Sequence, residues 1–211
     1  MNWIRGILRR VKDKVILTYG SSIAKGKKWN EEYQTGYSNY MESNLEEDPI
    51  YGIIYKYLKG GNLLDLGCGT GITFFHSQNV PMEYTGVDIS DLAIQECKKQ
   101  YVSISMSNSA TFICHDIETY VPSHKFDIIL LKDSIYYLKK NDVLSILTKL
   151  SDYLRDITGV FIVRIYRTDN LNHIVKTIYD NFEIVEDCHL HEGQGIVEGE
   201  GIIIVFRHSK N

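Results

Sequence analysis

Two carboxylates and a run of glycines carry the clearest chemistry in this chain. Asp65 stands alone inside the apolar stretch Asn62-Leu63-Leu64-Asp65-Leu66, and glycines follow at alternate positions, Gly67, Gly69 and Gly71. Glycine reaches positive φ and has no Cβ, so such a turn lets a ligand approach the backbone N–H groups closely. Asp88 closes the stretch Tyr84-Thr85-Gly86-Val87-Asp88, 17 positions beyond Gly71. A carboxylate there suits both hydroxyls of a ribose, because it offers two acceptor oxygens and no donor. By itself Asp88 says only that a ribose is bound. For proton removal the candidates are Asp133, His173, His189 and His191, none singled out by spacing, with His173 and Asp133 preferred. His189, His191 and Glu192 also alternate as metal ligands on a strand would. No third and fourth ligand at a suitable spacing completes a tetrahedral set, so no metal is expected. Cys68, inside the glycine turn, reads as a packing residue rather than a nucleophile.

These groups must be presented by strands and helices, and the hydrophobic pattern supplies them. Pro49 opens a helix through about Leu58 that Gly60 and Gly61 end, and Leu63, Leu64 and Leu66 suit a central parallel strand. A short helix is expected over Ile72 to Gln78, a second strand over Tyr84 to Ile89, and a helix from Asp91 to Tyr101 capped by Ser90. The third strand is Ala110 to Cys114. The fourth, Phe126 to Leu131, is the most hydrophobic and so should be central. Asn141 starts a helix with the stripe Val143, Leu147, Leu150 and Leu154, Gly159 introduces a fifth strand through Ile165, and Asp169 to Asn181 is a further helix. Phe182 to Leu190 and Gly201 to His208 follow without an intervening helix, so those two strands must be antiparallel.

The order Asp65-x-Gly67-x-Gly69-x-Gly71, then Asp88, then Asp116 after the third strand resembles the class I S-adenosylmethionine-dependent methyltransferases over roughly residues 50 to 208. The competing dinucleotide fingerprint calls for a third glycine at position 72, where this chain has Ile72, and Asp65 would repel a pyrophosphate. The resemblance implies an α/β fold: a doubly wound, mostly parallel seven-stranded sheet with an antiparallel last strand, here with an N-terminal helical extension. It implies S-adenosylmethionine as cofactor. Asp65 would face the cofactor's ammonium group, Asp88 and Ile89 its ribose, Asp116 and Ile117 its adenine, and Lys132 and the residues after it the methyl group. A Trp- or Tyr-bearing N-terminal segment would fold over the cofactor. Trp29, Tyr33, Tyr37 and Tyr40 fall along one side if that segment is helical, which makes Tyr33 and Tyr37 lid candidates, with packing as the alternative role.

A chain of 211 residues with 44% hydrophobic and 24% charged content suits one domain with a short appendage. Four separated cysteines, no signal pattern and no run long enough to span a bilayer point to the cytoplasm. The net charge of −4 hides an asymmetry, since residues 1–28 hold eight Lys or Arg against one acid, Asp13. Ile4, Leu8, Val11 and Val15 repeat there at helical spacing, so residues 1–28 read as a basic amphipathic extension and 29–211 as the catalytic domain. Residues 20–30 read as a flexible connector. The extension could dock on an acidic face of its own or another subunit, lie on an anionic membrane surface, or touch nucleic acid.

The acidic body argues against a phosphate-tracking groove, and no Asn-Pro-Pro-Tyr or Asp-Pro-Pro-Tyr follows the fourth strand. The expected activity is therefore methylation of a small molecule, oxygen in preference to nitrogen, in a pocket for which 15 tyrosines supply aromatic walls. An RNA or protein methyltransferase and a non-catalytic cofactor-binding scaffold are the alternatives. Arg164 and Arg167 flank Tyr166 after the fifth strand; solvation at the surface is the preferred reading, recognition of an anionic acceptor the other.

Overall fold

The computed structural model describes residues 12–36, 48–77, 79–103, 108–166, 171–190 and 201–208. A helical segment at 12–19 is followed by α1 (Ser22–Gln34), α2 (Pro49–Leu58), β1 (Asn62–Leu66), α3 (Ile72–His76), β2 (Glu83–Asp88), α4 (Asp91–Ser103) and β3 (Ser109–Cys114). Then come β4 (Ile128–Lys132), a 3-10 turn (Ile135–Tyr137), α5 (Val143–Ser151), β5 (Val160–Tyr166), α6 (Leu171–Asn181), β6 (Phe182–Leu190) and β7 (Gly201–His208). The seven strands are ordered β3-β2-β1-β4-β5-β7-β6, with β7 antiparallel to both neighbours and the remaining pairings parallel. The expected sheet is thus the observed one.

Burial explains why these runs are strands in these places. Every residue of β1, β4 and β5 is buried, as strands covered on both faces must be. The edge strand β6 instead alternates between partly buried and exposed positions. On one face Ile50 and Ile54 of α2, Phe74 of α3, and Ile94 and Cys97 of α4 pack on Leu63, Ile128, Leu130 and Ile162. On the other, Leu147 and Leu150 of α5 and Ile174 and Ile178 of α6 pack on Leu64, Ile129, Leu131 and Phe161. Leu63 pairs with Tyr84 on one side and Ile128 on the other, so the chain winds outward in both directions from β1 and β4. A crevice opens at the carboxyl ends of the strands at such a switch point.

The connector expected over residues 20–30 is instead most of α1. Ser21 caps that helix by accepting a hydrogen bond from the Ala24 amide at 3.3 Å. The helix lacks an apolar stripe because polar contacts hold it. Lys28, 6% exposed, pairs with Asp13 at 3.1 Å and Glu32 at 2.9 Å, and these partners, Glu32 foremost, raise its pKa. Lys25, 5% exposed, pairs with Glu118 at 2.9 Å. Gly26 permits the close approach to the domain, since a Cβ there would lie 3.0 Å from the Ile89 carbonyl oxygen. The division expected between residues 28 and 29 therefore falls inside a continuous helix docked on the domain.

Candidate active site

Strand β1 delivers its chain into a turn that only glycine tolerates. Gly67, Gly69 and Gly71 have φ of 86°, 56° and 79°, and a Cβ on Gly67 would lie 2.5 Å from the Ser134 Cβ. The turn hangs on β2, because the Gly67 and Cys68 amides donate to the Val87 carbonyl at 2.7 and 3.1 Å. Cys68 is buried, and burial pushes its thiol well above the ordinary range, which agrees with packing rather than nucleophilic chemistry.

Asp88 closes the turn from the other side. Its Oδ2 accepts from the Gly69 amide at 2.9 Å and its Oδ1 from the Ser90 amide at 2.8 Å. Each oxygen keeps a second lone pair for a hydroxyl donor. Burial raises its pKa to about 6 in spite of those amides. Asp65 is more deeply enclosed: Tyr84 donates its hydroxyl to Oδ2 at 2.7 Å, while Oδ1 has no hydrogen-bond partner among the described residues. Burial pushes its carboxyl up as well. An orphaned carboxylate oxygen costs about 1–3 kcal/mol, so an entering cation would be held strongly.

Helix α1 roofs the crevice. Trp29 meets Tyr137 edge-on with ring centroids 5.0 Å apart, and a Cβ on Gly69 would lie 2.8 Å from the Tyr33 hydroxyl. Asn30 accepts from the Ser90 hydroxyl at 2.7 Å, and the Ser22 hydroxyl donates to Asp116 Oδ2 at 2.7 Å. Tyr33 lines the crevice, while Tyr37 and Tyr40 lie outside the described residues. Asp116 Oδ1 also accepts the Glu118 amide at 3.0 Å, so the expected adenine acceptor is latched to the roof. Asp88, Ile89, Asp116, Ile117, Lys132 and Asp133 all line the crevice beneath.

The preferred bases fare differently from the cofactor candidates. Asp133 reaches the cavity in a left-handed conformation, φ 58°, but Arg164 donates to its carboxylate through Nε at 3.0 and 3.2 Å and through Nη2. Both oxygens of that carboxylate are thus engaged as acceptors. His173 does not line the cavity; its Nε2 donates to the Lys140 carbonyl at 3.1 Å. That bond holds the ring at the start of α6. His189 is exposed on β6, His191 and Glu192 lie outside the described residues, and among the described residues no cluster suited to a metal occurs.

Arg164 corrects the expectation of a solvated surface pair. It is 0% exposed, and Asp48, the N-cap of α2, binds it on the side away from Asp133. Burial lowers its pKa, but Asp133 first and Asp48 after it outweigh that and hold it above its ordinary value. Its partners come from positions 48 and 133, which local sequence cannot connect. A signal was nonetheless present, since a lone charge inside the apolar run Val160-Phe161-Ile162-Val163-Arg164-Ile165 demands buried partners, as Asp65 does inside β1. Arg167 lies outside the described residues. The latch formed by Ser22, Lys25 and Asn30 was hidden by reading that stretch as a connector.

A cation fits against the orphaned Asp65 oxygen, a ribose against Asp88, and a ligand backbone against glycines that lack a Cβ. These residues suit S-adenosylmethionine. Residues 63–156 match a family model described as a methyltransferase domain. A probable thiol methyltransferase 2 of Arabidopsis thaliana is 31% identical over 72 residues, 34% of this chain and 32% of that protein. A malonyl-[acyl-carrier protein] O-methyltransferase 1 of Ilyobacter polytropus is 28% identical over 117 residues, 51% of this chain and 41% of that one. The chain therefore spans less than half the length of these curated relatives. In fold it is similar to the N-methyltransferase NodS of Bradyrhizobium japonicum in complex with S-adenosyl-L-homocysteine, with a TM-score of 0.63 at 16% identity over 86% of this chain and 98% of that one. Sheet order and glycine turn agree with this likeness: the fold is that of the class I S-adenosylmethionine-dependent methyltransferases, and residues 63–156 match a methyltransferase-domain model.

Proposed function

We propose that this chain transfers a methyl group from S-adenosylmethionine to an oxygen of a small molecule. The observation that carries the reading is the convergence on one crevice of the aromatic side chains of Trp29, Tyr33 and Tyr137 with a few polar groups, Asp88, Asp116 and Lys132, the mixed lining that small-ligand sites have. Asp65, Gly67, Gly69, Asp88, Ile89, Asp116, Ile117 and Lys132 surround the cofactor in this reading, and Tyr33 closes over it. Gly71 serves the same turn by packing, since a Cβ there would lie 3.0 Å from Phe75 and 3.1 Å from the Cys97 sulfur. The cofactor supplies an electrophilic methyl group on a sulfonium; the protein positions the acceptor and excludes water.

The acceptor's chemistry follows from the engaged bases. With Asp133 held by Arg164 and His173 turned to Lys140, an acceptor that is already ionised at neutral pH needs no proton removed. A carboxylate oxygen meets that condition, and the malonyl relative's name, an O-methyltransferase, is consistent with it. Lys25 of the N-terminal region supports docking on the chain's own domain, since it is buried in an ion pair with Glu118. No helix among the described residues is long and apolar enough to cross a membrane. The test is transfer of label from S-adenosylmethionine into a fractionated metabolite extract, with Asp88→Ala as the blank. Label in small molecules that is released as methanol by mild alkali supports carboxylate methylation. Alkali-stable label, or label in protein or RNA, removes it.

A further inference from the structure

Two opposite charges face the inner end of the crevice without meeting. Asp65 and Lys132 both line the narrow pocket beside Gly67 and Gly69, and each is more than nine-tenths buried. Asp65 Oδ1 has no partner among the described residues. The Lys132 ammonium lies 3.4 Å from the Tyr51 hydroxyl and 5.5 Å from the centre of its ring, and no described carboxylate lies within ion-pair distance of it. The two acids that could have neutralised it, Asp48 and Asp133, are both bound by Arg164. A buried ammonium with one long hydroxyl contact is as incomplete as a carboxylate with an empty oxygen.

The missing partner of such a pair is a zwitterion: an ammonium for Asp65 and a carboxylate for Lys132, carried on one carbon. We infer that Lys132 binds the carboxylate of the cofactor's amino-acid tail while Asp65 binds its ammonium, so that the pocket recognises the tail by both charges. This rests on the S-adenosylmethionine reading of the site and deepens it. Burial, with Arg164 behind it, lowers the Lys132 pKa, and burial raises that of Asp65. The ligand's two charges would oppose both shifts.

The inference is tested by titration calorimetry with S-adenosylhomocysteine and its decarboxylated analogue, which keeps the amine and lacks the carboxylate. The native protein should bind the first about tenfold or more tightly than the second, as a charge-assisted contact in a dry site requires. Lys132→Met should bring the two affinities to within about threefold, chiefly by weakening S-adenosylhomocysteine, and Lys132→Arg should restore part of the gap. Equal affinity of the native protein for both ligands overturns the inference even if the variants fail to fold. So does an equal loss of both ligands in Lys132→Met, which would leave Lys132 a structural partner of Tyr51. Binding of neither ligand by the native protein would defeat the cofactor reading itself, and the inference with it.

Discussion

The two sides of the crevice use buried charge in opposite ways. Beyond β1 and β2, Asp65 and Asp88 are buried with acceptor capacity to spare: among the described residues one has an oxygen without a partner and the other accepts from backbone amides. Beyond β4 and β5, Asp48, Arg164 and Asp133 complete one another, and the Asp133 amide adds a bond to the Arg164 carbonyl at 3.1 Å. A buried charge with no partner costs several kcal/mol in a folded protein, whereas a closed triad holds its geometry with no ligand present. The incomplete side is therefore the place for a ligand's charges, and the complete side is a frame that fixes Ser134 and Tyr137 against it.

Removing Arg164 should break the comparison most severely. Arg164→Met strands two carboxylates, one of them 3% exposed, and should cost about 3–5 kcal/mol of unfolding free energy in urea titrations. Adding Asp48→Asn and Asp133→Asn to the same chain should recover much of that loss, because the stranded charges go with their partner. A loss under about 1 kcal/mol in the single variant would mean that the triad is solvated.

The opposite result belongs to the ligand side. Asp88→Asn should fold, since an amide oxygen can still accept one of the two backbone N–H groups, but it should weaken S-adenosylhomocysteine binding by about 1.5–3 kcal/mol in calorimetry. Unchanged affinity would remove Asp88 from the site. The pH dependence sharpens the same point. Because the carboxyl is raised to about 6 in the folded chain, its contribution to stability is present below the usual carboxylate range and is lost as pH rises through about 6. Ligand hydroxyls donate to the ionised form, so affinity should rise from about pH 5 and level off above about pH 7. Asp88→Asn should flatten part of that rise.

How much of this was legible depends on whether the signal was local. The strands read clearly because β1, β4 and β5 are short apolar runs, and the antiparallel end followed from the glycine- and acid-rich sequence expected to join β6 and β7 without a helix. The fourth strand begins two residues later than its hydrophobicity suggested, since Phe126 bridges Leu154 instead of joining the ladder of β1. The glycine turn, Asp65 and Asp88 were legible for the same reason, each lying within one strand and the turn that follows it. Arg164 was not, because its meaning comes from Asp48 and Asp133 across long separations, and neither was the engagement of His173 by Lys140. α1 failed in another way. Its stabilisation is by buried ion pairs to Asp13 and Glu118 rather than by an apolar face, so hydrophobic periodicity had nothing to report.

The smallest expected effect tests whether the roof belongs to the frame or to the ligand side. Ser22→Ala removes one hydroxyl bond to Asp116 and should lower the stability of the ligand-free protein by about 0.5–1.5 kcal/mol, read as a fall in thermal midpoint. It leaves the backbone of α1 capped by Ser21, so the helix itself should persist. If Asp116 receives the adenine amine, losing the Ser22 donor frees an acceptor lone pair in the cavity, and S-adenosylhomocysteine affinity should stay level or rise slightly. A fall in affinity as large as that of Asp88→Asn would place the Ser22 hydroxyl on the ligand. The roof would then be part of the recognising surface, and the division between an incomplete side and a completed one would have to be redrawn along α1.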